Sequence, residues 1–267
     1  MGGSVRRPAV AGLFYPSDPA ELRLVVQACL GEGRARIAGR SLGQPKALIV
    51  PHAGYVYSGP VAGSAYALLE PFAASIRRVV LLGPSHRVPF RGLALSGAAR
   101  FATPLGEVAL DAEGAAALAR LPQVRVLDAA HADEHSLEVQ LPFLQEILSD
   151  FVLLPVVAGD AAPQEVAALI EAVWNGPDTL LLISSDLSHY HDYETARALD
   201  RATGAAIEAL QPEGLDGESA CGRVPVRGML VAARAHRLAV RTLDLRNSGD
   251  TAGPRDRVVG YGAFAIA

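Results

Sequence analysis

The sequence predicts a three-layer α/β fold: a largely parallel or mixed central sheet with helices on both faces. Three observations predict it. Short apolar runs at Ala47–Val50, Arg78–Gly83 and Thr179–Ser185 read as strands buried on both faces. Segments of helical spacing alternate with them, the pattern of crossover connections in a parallel sheet. The chain has 267 residues, 50% of them hydrophobic and only 19% charged, enough for a sizeable core. No internal repeat, low-complexity tract or credible linker follows Pro45, so residues 1–267 are expected to form one domain.

In order, Arg7 to Pro16 reads as an extended lead-in punctuated by Pro8, Gly12 and Pro16. Ser17 or Asp18 caps a helix with Pro19 in its first turn. It is expected to run to about Leu30, with Leu22, Val25, Val26 and Cys29 on one face and Cys29 as a small core hydrophobe. Gly31 to Pro45 reads as a loop, its cluster Arg34 to Arg40 a solvated linker. The strand Ala47–Val50 stops at Pro51, which cannot donate to a ladder, and His52 follows at once. Gly54 and Gly59 suit a close-approach loop, and a helix is expected from about Val61 to Glu70. The strand Arg78–Gly83 also ends in a histidine, within Pro84-Ser85-His86.

Leu93–Ser96 and Glu107–Leu110 read as shorter strands paired around a turn at Thr103-Pro104 and Gly106. Asp111 caps a helix to about Leu121, and Val124–Leu127 is a short strand. Leu137, Leu141, Leu144 and Leu148 share a helical face, with Pro142 expected to kink or restart that helix. His131, Asp133, Glu134, His135 and Glu138 gather at its N-terminal end, where carboxylates complement the helix dipole. Pro155 in the strand Phe151–Val157 hints at an edge or bulge. Pro163 starts a helix to about Trp174. The strand Thr179–Ser185 ends in Asp186-Leu-Ser-His-Tyr-His191, and a helix follows to about Leu210. Cys221 sits just ahead of a helix reaching about Arg237, where amides and dipole would lower its pKa. Val240–Leu245 and Val258–Ala265 close the sheet, with Asn247–Thr251 a polar loop between them.

Composition excludes several classes. The net charge is −4, with no long run of either sign, so no nucleic-acid or anionic-membrane surface is expected. Two cysteines build no disulfide framework and fit a reducing compartment. No apolar run is long enough to span a membrane, and Met1 to Arg7 lacks a signal-peptide core; a cytoplasmic protein is expected. No phosphate-binding glycine loop and no Gly-x-Ser-x-Gly elbow appears.

Open α/β sheets place ligands at the carboxyl ends of their strands. His52, His86, Asp186 and His189 are therefore expected to converge on one rim, with Cys221 arriving ahead of its helix. Imidazole, thiolate and carboxylate together suit a transition metal. Asp186 or His189, if free of metal, can orient a ligand or move a proton. Cys221 with His189 or His52 would alternatively pair nucleophile and base, as in cysteine hydrolases.

The chain resembles the Memo family, whose microbial members are called AmmeMemoRadiSam system protein B. The resemblance runs through Arg7–Pro16, Pro51-His-Ala-Gly-Tyr-Val-Tyr-Ser-Gly59, Leu82-Gly-Pro-Ser-His86, Glu134–Phe143, Ser184-Ser-Asp-Leu-Ser-His189, Cys221-Gly-Arg, Asn247-Ser-Gly-Asp and Val259-Gly-Tyr261. It implies a fold like that of the class III extradiol dioxygenases, which use non-haem Fe(II). It implies His52, His86 and Cys221 as metal ligands, for iron or copper, with zinc as a further option. Asp186 and His189 become the implied catalytic pair, and Tyr55, Glu134, His135 and Arg223 are the expected substrate-binding residues. A cysteine replaces the carboxylate of a dioxygenase facial triad, so ring-opening chemistry is not implied. Val224 stands where the family commonly has histidine. The resemblance implies a metal-dependent redox protein acting on a small molecule or peptide, with a pathway link to a radical-SAM protein. The alternatives are a non-catalytic binding module using the same pocket and a Cys/His hydrolase.

Overall fold

The computed structural model describes residues 4–40, 42–174 and 176–267. The first three residues of the Met1–Arg7 segment and Ser41 of the expected loop lie outside that range. The centre of the fold is four parallel strands, in the order β2 (Ala47–Val50), β9 (Thr179–Ser184), β3 (Arg78–Pro84) and β8 (Val152–Ala158). On one flank β12 (Val258–Ile266) runs antiparallel to β2 and carries β11 (Val240–Asn247) and β10 (His189–His191). On the other flank β4 (Leu93–Leu95) is antiparallel to β8 and parallel to β7 (Val124–Val126). The sheet is therefore mixed.

Side-chain alternation divides the core in two. Leu48, Val50, Val79, Leu81, Leu180 and Leu182 pack with α1 (Pro19–Ile37), α2 (Tyr55–Ala67) and α5 (Leu141–Ile147). Their neighbours Ala47, Ile49, Val80, Leu82, Leu181 and Ile183 pack with α6 (Pro163–Ala172), α7 (Tyr193–Glu208) and α8 (Arg223–Ala235). Strands sandwiched in this way have no polar face, which is why they appear as unbroken apolar runs. Val50 stands opposite Ser184 and Leu82 opposite Ile183, so three parallel strands end level on one rim.

Several expectations need correction. α1 continues past Leu30 to Ile37, because Gly31 and Gly33 do not end it. Gly33 instead lets α1 and α2 touch backbone to backbone. A Cβ on Gly33 would lie 2.1 Å from the Gly63 carbonyl oxygen, and one on Gly63 would lie 2.1 Å from that of Cys29. Neither backbone can yield without parting the helices, so Gly63→Val should cost about 2–3 kcal/mol, read as a lowered urea midpoint. Cys29 is buried in this contact, as its helical face required.

α2 starts at Tyr55, with Pro60 inside it rather than ahead of it. The carbonyl that loses its partner is that of Val56, an exposed residue in the first turn. Leu93–Ser96 and Glu107–Leu110 do not pair. β6 (Gly106–Ala109) pairs with β5 (Arg100–Thr103), and β1 (Val5–Arg6) joins β5 to make a separate small sheet. Pro155 lies in an interior strand, one residue before the β4 ladder, which covers Val156–Ala158. Asn247 caps a short helix, α9 (Ser248–Thr251), where a loop was expected.

Asp111 caps α3 (Ala112–Leu118) as expected. The region around His135 is not one helix. α4 (Ala129–Ala132) stops, a 3-10 turn spans Glu138–Gln140, and α5 restarts with Pro142 in its first turn. Glu134 and His135 sit in the break. Among the described residues, no helix is long and apolar enough to cross a membrane.

Candidate metal centre

His52 leaves β2 immediately after Pro51 and is only 1% exposed. Its backbone N–H donates to Asp186 Oδ1 at 2.7 Å, which ties it to the end of β9. Its ring Nδ1 lies 2.9 Å from Ser184 Oγ. The Ser184 hydroxyl already donates to the Ser136 carbonyl at 2.6 Å and accepts from Gln140 Nε2 at 2.8 Å. Its proton being committed, Ser184 accepts from His52, which puts the imidazole proton on Nδ1 and the lone pair on Nε2. That Nε2 stands 3.2 Å from Cys221 Sγ.

His86 follows β3 in the same way. Its backbone N–H donates to Glu134 Oε2 at 2.5 Å and its Nδ1 lies 2.9 Å from Oε1. Glu134 also accepts from the Ser136 N–H at 2.9 Å. Burial raises this carboxyl, but the His86 ring and the two N–H groups outweigh it and hold the pKa at about 2. An ionised carboxylate on Nδ1 again leaves Nε2 as the free lone pair.

His135 completes the group. Its ring stacks on His86 at 4.7 Å between centroids and lies 5.6 Å from that of His52. Burial pushes its pKa down to about 4, and burial likewise drives that of His52 well down, so both rings are neutral near pH 7. Buried His135 Nδ1 has no hydrogen-bond partner among the described residues. One ring nitrogen from each of His52, His86 and His135 falls within 4.8 Å of the others.

Cys221 reaches the rim through a close approach. The Gly222 N–H donates to Ser185 Oγ at 3.0 Å, and a Cβ on Gly222 would lie 2.5 Å from the Ser185 Cβ. The expectation of a lowered thiol pKa does not hold for the metal-free chain. Burial pushes the thiol well up and the Asp186 carboxylate adds to this, because Cys221 stands two residues before α8 and is half-buried at the cleft wall. Burial also pushes Asp186 up, to about 7. His189 lines the same cleft, its pKa lowered by burial.

The cleft has a volume of about 620 Å³ and is lined by His52, His86, His135, Asp186, His189 and Cys221, with Phe14, Tyr190 and Glu218 at its sides. Tyr190 takes φ 65°, a left-handed backbone where the β10 register shifts. The other expected substrate contacts lie elsewhere. Tyr55 turns into the core and donates to the Val139 carbonyl at 2.6 Å. Glu134 stands behind His86, and Arg223 opens α8 outside the cleft lining. Val224 packs against the core under α6 and α8. Phe14 and Tyr190 were not anticipated, since nothing in their spacing marks them.

Comparisons with known proteins agree in kind. A family model described as Memo-like protein matches residues 6–265. A MEMO1 family protein of Methanothermobacter thermautotrophicus is 37% identical, over 96% of this chain and 98% of its own length. One from Aquifex aeolicus is 37% identical over 96% and 97%, and one from Methanopyrus kandleri 36% identical over 98% of each chain.

Proposed function

The chain belongs to the Memo family, and on that footing we propose that its strand-end cleft binds a transition metal for redox chemistry on a small molecule or peptide. The observation that carries the reading is the set of three convergent imidazoles, two of them fixed by acceptors on the far nitrogen. His52 and His86 present Nε2, Cys221 offers a soft donor beside His52, and His135 brings a half-buried ring whose Nδ1 makes no hydrogen bond and lies 3.5 Å from Glu134 Oε1. Imidazole and thiolate suit iron, copper and zinc alike, and the redox role proposed here selects iron or copper. Such an ion, when bound, supplies Lewis acidity and one-electron chemistry. No carboxylate of the cleft is placed as in a facial triad. Glu134 backs His86 and one oxygen of Asp186 accepts from the His52 N–H, while a cysteine stands where the triad has its carboxylate, so ring-opening activity is not part of the reading. Asp186 and His189 are the groups left to orient substrate or carry a proton. A role beside a radical-SAM protein and a cytoplasmic setting are proposed with it.

Elemental analysis of tag-free protein purified without oxygen tests the proposal. Near-stoichiometric metal is expected, and its absence after reconstitution would overturn the reading. Metal binding to Cys221 must expel the thiol proton, whose pKa burial holds high. Affinity should therefore climb about tenfold per pH unit between pH 7 and 8.5. In Cys221→Ser this slope should vanish. A flat profile in the wild type would instead leave His135, already neutral near pH 7, as the third donor.

The 3.2 Å contact of Cys221 Sγ with His52 Nε2 also suits a nucleophile and base. That hydrolase reading requires metal-free protein to be trapped covalently at Cys221 by an acylating or alkylating substrate analogue. His52 is backed by a hydroxyl rather than a carboxylate, which makes it the weaker reading.

A further inference from the structure

Among the described residues, seven large apolar side chains are exposed; Leu24, Val126 and Val152 stand apart, and the other four fall at two adjoining depressions. Leu13 (80% exposed), Val56 (63%) and Tyr57 (39%) line a single groove, and Tyr190 (63%) lines the metal cleft. Single exposed apolar residues are ordinary, whereas contiguous ones mark a binding surface. The groove, about 630 Å³, lies between the turn Gly12–Ser17 and the first turn of α2. The Tyr55 N–H joins its two walls by donating to the Phe14 carbonyl at 2.8 Å. Phe14 and Gly54 line both the groove and the metal cleft, and the Phe14 ring lies 4.7 Å from that of His135.

We propose that this groove is a substrate subsite. It receives the apolar hydrocarbon tail of a small molecule whose polar head reaches the imidazoles. The inference rests on the metal reading and deepens it. Three observations select this occupant. The groove meets the cleft at Phe14 and Gly54, which line both, so a ligand lying across that rim would reach both. Glu21 is the one charged residue among its described lining residues, so an anionic tail has no partner there. Its volume is that of a small-molecule pocket. The turn is held in place before any ligand arrives. Gly12 N–H donates to the Tyr15 carbonyl at 2.7 Å, Phe14 N–H to the Val10 carbonyl at 2.9 Å, and Val10 N–H to buried Glu138 at 3.0 Å. A preformed wall spares the ordering cost of binding.

Head and tail are tested separately. On metal-free protein, the neutral dye N-phenyl-1-naphthylamine reads the groove alone. Saturable binding is expected, weakened at least about tenfold in Leu13→Asp and Val56→Asp, whose exposed positions preserve the fold. On iron-loaded protein, acetohydroxamate reads the head and octanohydroxamate reads head plus tail. The longer chelator should bind about 10–100-fold tighter, and Val56→Asp should erase that gain while leaving acetohydroxamate unchanged. Equal affinities, or a gain that survives Val56→Asp, overturn the proposal, as does absence of dye binding. Self-association of the wild type that Val56→Asp abolishes, without dye binding, would assign the patch to a second copy and also overturn it. Acetohydroxamate failing while the dye still binds would remove the metal premise instead, and the subsite would fall by that distinct route.

Discussion

Replacing His52 with alanine is expected to abolish tight metal binding while leaving the protein folded. The ring is the member of the cluster in contact with both sides. Its Nδ1 rests on Ser184, and its Nε2 faces Cys221 across 3.2 Å. Removing only an outer partner of a metal-bound histidine costs about 10–100-fold in affinity, so losing the donor itself should cost more. The fold should survive because the anchor of this loop is backbone: the residue-52 N–H still donates to Asp186. Ser184 keeps its bonds to Ser136 and Gln140, so no buried hydroxyl is orphaned. Competition against a chromophoric chelator gives the affinity, and urea unfolding should show a loss of only about 1–2 kcal/mol. Glu134→Gln provides the graded comparison: it loosens His86 without removing a ligand and should fall within the 10–100-fold range. Unchanged affinity in His52→Ala would exclude the cluster as the metal site.

The rim itself was legible in the sequence, and the full imidazole cluster was not. Ala47–Val50, Arg78–Gly83 and Thr179–Ser185 announce themselves because both of their faces are buried, and the polar residues that follow each run stand out against so apolar a chain. That repetition was enough to gather His52, His86, Asp186 and His189. His135 was harder to place as an imidazole partner. The leucine spacing from Leu137 to Leu148 suggests a continuous helix, whereas the chain breaks between α4 and the 3-10 turn and swings His135 onto His86. Cys221 lines the cleft, but its electrostatics are the reverse of the expectation: proximity to a helix start is visible in sequence, while burial is not. The extension of α1 through Gly31 and Gly33 fails for a related reason. Glycine is a weak helix former, and only the position of α2 reveals why it is tolerated there.

Glu138→Ala should have the largest effect on stability, roughly 3–5 kcal/mol. Its side chain is fully buried and accepts from four donors that belong to the N-terminal segment. These are the Arg6 guanidinium, the Ala9 N–H at 2.7 Å, the Val10 N–H at 3.0 Å and the Tyr15 hydroxyl at 2.5 Å. Arg6 in turn donates to the carbonyls of His131 at 3.0 Å and Glu134 at 2.7 Å, and stands over the Phe101 ring. Deleting the carboxylate leaves a buried cation with only carbonyl partners and strands two amides and a phenol. Glutamine does not repair this. It offers one acceptor oxygen and turns an NH₂ donor towards other donors, so Glu138→Gln should still lose about 1–3 kcal/mol. Because the same contacts fix Phe14 on one side and the His131–Glu138 stretch on the other, the damage should reach the cleft. Amide exchange should quicken over residues 9–15 in Glu138→Ala, and metal affinity should drop even though no ligand was touched. A variant that loses less than about 1 kcal/mol, with exchange unchanged over that segment, would show that the lead-in is held by its apolar contacts instead.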